Sequence, residues 1–243
     1  MSIWAPVARR LVAAGHRVVL YDQRGHGDST LGRDALTIDR LGNDLAELLR
    51  QLDITDAVVG GHSMGGMTIQ ASAAASPSVF SERVRAVALV STAAHTGLLR
   101  VPRRLAHALI GDRRTDQLAR RPLASGRRMV GEQVHEAHLR AARDAMLAVS
   151  GAARADCMVA MGQMDYRDTL PTIEVPVRIL VGTRDALTPV VRARELVEGV
   201  PDGRLRVLDG LGHMLPLEAP DTVAATIIEL ADPAAAPSVD PAA

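Results

Sequence analysis

The chain has 243 residues, of which 47% are hydrophobic, so it is long enough for one large domain with an insertion. Its 28 basic residues balance its 28 acidic residues, and this zero net charge gives no reason to expect a nucleic-acid or membrane partner. All the basic residues are arginine, which excludes a lysine Schiff base, a pyridoxal-phosphate anchor and a Walker lysine.

A single cysteine, Cys157, excludes an internal disulfide and fits a reducing compartment. No catalytic motif surrounds it, so we interpret it as a small buried hydrophobic residue. No apolar stretch approaches membrane-spanning length, and the N-terminus lacks the apolar segment of a signal peptide. These observations predict a cytoplasmic protein.

The first part of the chain alternates helix and strand patterns. Apolar residues at helical spacing predict a helix over Trp4–Ala14, and the β-branched run His16–Tyr21 predicts a strand. A polar, glycine-punctuated loop follows over Asp22–Ser29. Leucines at helical spacing then predict an amphipathic helix over Ile38–Leu52, with Thr37 as its N-cap.

The most informative stretch is Val58-Val59-Gly60-Gly61-His62-Ser63-Met64-Gly65-Gly66. A buried strand is predicted before it and a helix over Met67–Ala75 after it, so Ser63 lies at the apex of a tight turn. Such a turn leaves no room for side chains at Gly61 and Gly65, and it strains the backbone of the serine. The pattern matches a G-x-S-x-G nucleophile elbow. A phosphate- or dinucleotide-binding turn is the alternative, but its second glycine and P-loop lysine are absent.

Further strands and helices follow to the end of the chain. The predicted elements are strands at Val84–Val90, Val175–Val181 and Arg204–Leu208, a helix opening at Thr188-Pro189 with Thr188 as N-cap, and a helix over Asp221–Leu230. This alternation predicts the α/β class, with a doubly wound, mostly parallel sheet and helices on both faces. We assign residues 1–94 and 171–231 to this core, 95–170 to a helical cap and 232–243 to a disordered tail.

A serine hydroxyl is a poor nucleophile near neutral pH and needs a histidine base that an acid orients. Asp185 and His213 each follow a predicted strand, in Gly182-Thr183-Arg184-Asp185 and Gly210-Leu211-Gly212-His213. Because parallel strands end at one sheet edge, Ser63, Asp185 and His213 are predicted to meet there as nucleophile, acid and base. The alternatives are that Asp185 caps the loop at Thr188 or the helix that follows, and that His213 is a turn histidine between glycines.

With these motifs in place, the chain resembles the serine α/β-hydrolases of the esterase, lactonase and cofactor-free haloperoxidase group. The resemblance covers about Trp4 to Leu230, and it is carried by Asp22-Gln23-Arg24-Gly25-His26-Gly27-Asp28-Ser29, Gly61-His62-Ser63-Met64-Gly65-Gly66, Gly182-Thr183-Arg184-Asp185 and Gly212-His213. It implies an acyl-serine mechanism without cofactor or metal, and the backbone N–H of Met64 as an oxyanion donor. Serine at the nucleophile position argues against the epoxide hydrolases and haloalkane dehalogenases of this fold, which use aspartate.

Several side chains are candidates for substrate binding. Met158, Met161 and Met164 repeat at helical spacing, which suits a hydrophobic acyl pocket and an ordinary helix core alike. We select Met158 and Met161, together with His62 beside the nucleophile, as substrate-binding residues. Aromatic residues make up only 2% of the chain, which favours an aliphatic ester or lactone over a stacked ring.

Three functions are therefore compared. The leading hypothesis is hydrolysis of a small-molecule carboxylic ester or lactone. The alternatives are perhydrolase or haloperoxidase activity, in which peroxide replaces water, and a non-catalytic binding module of the same fold. Labelling of the nucleophile by a fluorophosphonate separates the third from the other two.

The resemblance also predicts an irregularity in the sheet. In this fold a strand ending in a histidine-glycine oxyanion loop precedes the first helix, whereas this chain opens at Met1-Ser2-Ile3-Trp4, already at that helix. That strand lies between the strand at Val18–Tyr21 and the elbow strand. We therefore expect a gap or unpaired strand edges, one oxyanion donor in place of two, and a natural form that begins some tens of residues upstream.

Overall fold

One parallel sheet forms the centre of the protein. The computed structural model describes residues 2–97, 101–110, 131 and 136–232. The sheet has the order β1-β2-β3-β4, and its strands are β1 (Ala57–His62), β2 (Val84–Val90), β3 (Val177–Gly182) and β4 (Gly203–Leu208). All three neighbouring pairs run parallel. The predicted α/β class with a parallel sheet is therefore confirmed.

Helices lie between and beside these strands. The described α-helices are α1 (Ala5–Ala13), α2 (Ile38–Gln51), α3 (Met64–Ala75), α4 (Pro77–Arg83), α5 (Arg103–Ile110), α6 (Glu136–Leu147), α7 (Gly151–Gln163), α8 (Val190–Gly199), α9 (Leu215–Glu218) and α10 (Pro220–Ala231). The predicted N-cap of α2 is confirmed, because the Thr37 hydroxyl accepts a hydrogen bond from the Arg40 N–H at 3.2 Å. None of the described helices is both long and apolar enough to cross a membrane.

The two faces of the sheet carry separate apolar cores, as alternating side chains of a buried strand require. On β2, Val87 and Leu89 pack with residues of α2, α3 and α8 on one face. The intervening residues Ala86, Ala88 and Val90 pack with α1 and α10 on the other face. Since all five are at most 1% exposed, the sheet has helices on both faces, as the doubly wound pattern predicts.

The prediction of a strand at His16–Tyr21 is wrong, because this segment is not part of the sheet. The segment is extended, but within the part of the chain that the structure describes the backbone groups of 17–21 form no hydrogen bond with other backbone. A cavity of about 810 Å³ is lined by this segment on one side and by β1 on the other. Because no backbone lies close enough to complete a ladder, the β-branched sequence stays unpaired, with Val19 42% exposed.

The remaining differences concern helix ends and the outer segments. Helix α3 ends at Ala75 as expected, and a separate short helix that was not predicted, α4, follows it. The N-cap of α8 is Pro189, because the side chain of Thr188 is hydrogen-bonded elsewhere. Helices α5, α6 and α7 lie in the stretch assigned to the cap, and residues 233–243 of the predicted tail lie outside the described residues.

The unpaired segment predicts a difference in amide hydrogen exchange. Amides of residues 17–21 should exchange at least about a hundredfold faster than those of residues 86–90, because only the latter form ladder hydrogen bonds on a fully buried strand. Hydrogen–deuterium exchange resolved by peptide or residue measures both rates in one sample. Equal protection of the two segments would mean that 17–21 is paired in solution.

Candidate active site

Ser63 lies on a strained turn between β1 and α3. Its backbone angles are φ 53° and ψ −120°, a region that residues other than glycine rarely adopt. Hydrogen bonds of its N–H and carbonyl groups hold it there. The Ser63 N–H donates to the Val90 carbonyl at 3.0 Å, and the Ser63 carbonyl accepts from the Gly66 N–H at 2.9 Å and the Thr92 hydroxyl at 2.7 Å. The turn thus has the geometry predicted for a nucleophile elbow.

The glycines around the turn differ in whether the structure leaves room for a side chain. A Cβ at Gly61 would lie 2.5 Å from the carbonyl carbon and oxygen of Gly65, so the close approach predicted there is present. The same prediction for Gly65 is wrong, because a Cβ there would meet nothing within 4 Å. The second tight position is Gly66, whose Cβ would lie 2.5 Å from the Thr92 side chain.

His213 and Asp185 meet at the carboxyl edge of the sheet. The distance between His213 Nδ1 and Asp185 Oδ2 is 2.9 Å, and both residues are buried, at 3% and 4% exposed. Asp185 also accepts hydrogen bonds from the N–H groups of Leu187 and Thr188 and from the Thr188 hydroxyl. Burial by itself would raise the pKa of Asp185, but His213 and the Thr188 donors lower it below its usual value. Asp185 therefore caps its own loop and orients His213 at the same time.

The loop that carries His213 lies directly over the end of β3. A Cβ at Gly182 would lie 2.1 Å from the Leu211 carbonyl oxygen, so only glycine allows this approach. The Leu211 carbonyl in turn accepts a hydrogen bond from the Arg184 N–H at 2.8 Å. On the far side of the loop, Glu218 accepts from the N–H groups on either side of His213, those of Gly212 at 2.9 Å and Met214 at 2.8 Å.

The side chain of His62 is directed at this same loop. It is 9% exposed, and its Nε2 lies 2.7 Å from the carbonyl oxygen of His213. The two imidazole centroids are 4.8 Å apart. Burial, with a smaller contribution from His213, lowers the pKa of His62 to about 3. His62 is therefore neutral near pH 7, and it binds the protein main chain.

The methionines selected as substrate contacts, Met158 and Met161, do not line the described cavity. Met161 is partly buried and packs against the cluster of Leu36, Met67 and their neighbours, while Met158 is 36% exposed. The cavity instead reaches the elbow at Ser63, Met64 and Gly65. Its walls also include β1, the unpaired segment 16–21, the loop 53–56, and residues of α1, α2 and α10.

Two contributors to the site were not assigned to it from the sequence. Thr188 was predicted as a helix N-cap, and a cap by Asp185 on Thr188 was an alternative interpretation of that aspartate. The structure has the hydrogen bonds from Thr188 to the Asp185 carboxylate. Glu218 follows His213 by five residues, a spacing that carries no motif. Among the described residues, no three His, Cys, Asp or Glu side chains cluster as metal ligands. Cys157 is a buried free cysteine, as expected, and burial raises the pKa of its thiol to about 12.

Comparison with known proteins gives a family match over nearly the whole chain. The family model described as "Alpha/beta hydrolase family" matches residues 1–226. The 3-oxoadipate enol-lactonase 2 of Acinetobacter baylyi is 30% identical over 205 residues, which cover 84% of this chain and 74% of that protein. A bifunctional esterase/perhydrolase of Acinetobacter calcoaceticus is 29% identical, with 86% of this chain and 79% of that protein covered.

A solved structure extends this similarity to the fold. The enol-lactonase from Burkholderia xenovorans LB400 superimposes with a TM-score of 0.80 at 30% sequence identity. The superposition covers 94% of this chain and 85% of that one. The likeness therefore extends over most of the fold.

The two outer glycines of the elbow motif predict opposite results on substitution. Gly61→Ala places a methyl group against backbone atoms and should destabilise the protein by about 1–3 kcal/mol or more. Gly65→Ala meets open space in the first turn of α3, so its stability should stay within about 1 kcal/mol of wild type. Urea unfolding of the two variants measures the difference, and equal losses would contradict the distinct packing of the two glycines.

Proposed function

Because the chain belongs to the alpha/beta hydrolase family, we propose that it is a serine hydrolase that cleaves a small carboxylic ester or lactone through an acyl-serine intermediate. The observation that carries this proposal is the 2.9 Å contact between His213 Nδ1 and the buried Asp185 carboxylate. It lies at the sheet edge from which the strained Ser63 projects. Asp185 fixes Nδ1 as the protonated nitrogen, so Nε2 is left as the base.

In the first half of the reaction, Ser63 Oγ attacks the carbonyl carbon of the substrate while His213 Nε2 accepts the hydroxyl proton. The tetrahedral intermediate then collapses. The carbon–oxygen bond to the leaving alcohol breaks, and His213 returns the proton to that oxygen. In a lactone the leaving oxygen stays attached to the acyl group through the opened ring.

In the second half, a water molecule attacks the acyl carbon and gives its proton to His213. The second tetrahedral intermediate expels Ser63 Oγ, which takes the proton back from His213, and the carboxylic acid leaves. Both intermediates carry an oxyanion. We assign the Met64 N–H as the donor to this oxyanion, because it is the first N–H of α3 and the first N–H groups of a helix have no partner within it. Removing one such donor typically costs about a hundredfold or more in rate.

The names of the relatives support the substrate class. One is named an enol-lactonase and another an esterase/perhydrolase, and a lactone and an ester share the same carbon–oxygen bond to be cleaved. The second name also favours one further candidate activity, in which hydrogen peroxide replaces water in the second half and releases a peracid. We retain Met158 and Met161 as substrate-binding proposals, whereas His62, whose Nε2 contacts the His213 carbonyl oxygen, is not retained as one. We also propose a cytoplasmic location.

Covalent labelling tests the proposal against a non-catalytic binding module. A fluorophosphonate should modify wild-type protein at Ser63, since its phosphorus takes the place of the ester carbonyl carbon. Ser63→Ala should show no label, and His213→Ala should label at least about a thousandfold more slowly, because the base is lost. Peptide mapping by mass spectrometry identifies the site. Absence of label on folded wild-type protein would reject a serine hydrolase.

Substitution of the acid tests the orienting role of Asp185. Asp185→Asn keeps the size of the side chain but places an amide against His213 Nδ1, which favours the wrong tautomer. Esterase kcat should fall by about three to four orders of magnitude, and less than in Ser63→Ala. Turnover of 4-nitrophenyl acetate, with the Ser63→Ala rate as background, measures this fall. Near-wild-type activity would place the acid elsewhere.

A further inference from the structure

The base and the nucleophile stand on strands at opposite edges of the sheet. Ser63 follows β1 and His213 follows β4, so three strand spacings of about 4.8 Å, or about 14 Å in all, separate the strand axes. The loop after β4 must cross the end of β3 to reach the elbow. Asp185, at the end of β3, holds the imidazole of His213 but makes no described contact with its main chain.

His62 is the last residue of β1, and it contacts the main chain of His213 directly. Its Nε2 lies 2.7 Å from the His213 carbonyl oxygen. A carbonyl oxygen can only accept, so His62 Nε2 carries the hydrogen. Because burial lowers the pKa of His62 to about 3, the ring stays neutral near pH 7 and keeps this tautomer. The contact therefore joins the elbow strand to the histidine loop with a fixed donor.

This geometry makes direct substrate contact the weaker role for His62. The ring is 9% exposed, and the nitrogen that could donate to a substrate is already bound to the protein. The His62 ring also packs near the His213 ring, with 4.8 Å between the centroids. Displacing the main chain of His213 would move the imidazole attached to it.

We propose that His62 is a positioning residue: its Nε2–H donates to the His213 carbonyl and holds the histidine loop over the elbow, so that the imidazole of His213 stays in reach of Ser63. Asp185 fixes the orientation of the ring, while His62 fixes the main chain that carries it. The inference rests on the proposed acyl-serine function, since a base needs positioning only where a nucleophile is activated.

Three substitutions of His62 distinguish the effect of losing the N–H donor from the effect of losing the ring. His62→Phe keeps a ring of similar size without a donor, and His62→Asn keeps an amide that is too short to reach the carbonyl. His62→Gln carries an N–H at a reach close to that of Nε2. Thr226→Val is the matched control, because it also removes one hydrogen bond from a buried side chain to a carbonyl, on α10 and away from the site.

The readouts are the second-order rate of fluorophosphonate labelling at Ser63, kcat and KM for 4-nitrophenyl acetate, and the melting temperature. His62→Phe and His62→Asn should lower the labelling rate and kcat about ten- to a hundredfold with KM nearly unchanged, as expected for a base displaced by about 1 Å. His62→Gln should recover both rates to within about threefold of wild type. Thr226→Val should lower only the melting temperature.

Several results would overturn the inference. Labelling of His62→Asn and His62→Phe at the wild-type rate would show that the loop needs no donor, and an inactive His62→Gln would show that the ring itself matters. A raised KM at unchanged kcat would make His62 a substrate contact. If His62→Phe does not fold, the comparison of His62→Asn with His62→Gln decides. Failure of wild-type protein to label would instead reject the proposed function, so the two failures are distinguishable.

Discussion

The site depends on how closely one loop can approach the end of a strand. His213 reaches the elbow only because the loop at Leu211 lies against β3 at Gly182, where a Cβ would stand 2.1 Å from a carbonyl oxygen. Once the loop is that close, hydrogen bonds to its backbone hold it. The Arg184 N–H donates to the Leu211 carbonyl, and the Glu218 carboxylate accepts from two N–H groups of the loop. The contact between His213 and Asp185 follows from this approach, since Asp185 lies three residues beyond Gly182.

A second constraint is the strain at Ser63. A residue with a side chain held at φ 53° costs on the order of 1–3 kcal/mol, which the surrounding structure must offset. Here β2 contributes the Val90 carbonyl and the loop after it the Thr92 hydroxyl, while the first turn of α3 satisfies the serine carbonyl. Among the described strands, only β2 pairs with β1. On its other side β1 faces the cavity, so the elbow is anchored from β2 and α3.

The sequence predicted the parts of the site that follow strand ends. Ser63, Asp185 and His213 could be proposed because each follows a short apolar run and has a glycine within the three residues before it, and because parallel strands bring such loops to one edge. The prediction failed where the structure depends on contacts between residues that are distant in the sequence. His16–Tyr21 has the composition of a strand but, among the described residues, no neighbouring strand to pair with. Gly65 occupies a glycine position of the motif, but a side chain there would meet no close neighbour. His62 contacts the main chain of His213, a partner 151 residues away that no local pattern specifies.

An acyl group carried by Ser63 is the central claim, and rapid acid quenching of the reaction with 4-nitrophenyl acetate tests it most directly. Intact-mass spectrometry of samples quenched within the first turnover should show one acetyl group per protein, located on Ser63 by peptide mapping. A burst of 4-nitrophenol of matching size should accompany it, and both should be absent from Ser63→Ala. Steady turnover by wild-type protein without an adduct, or an equal adduct in Ser63→Ala, would contradict an acyl-serine mechanism.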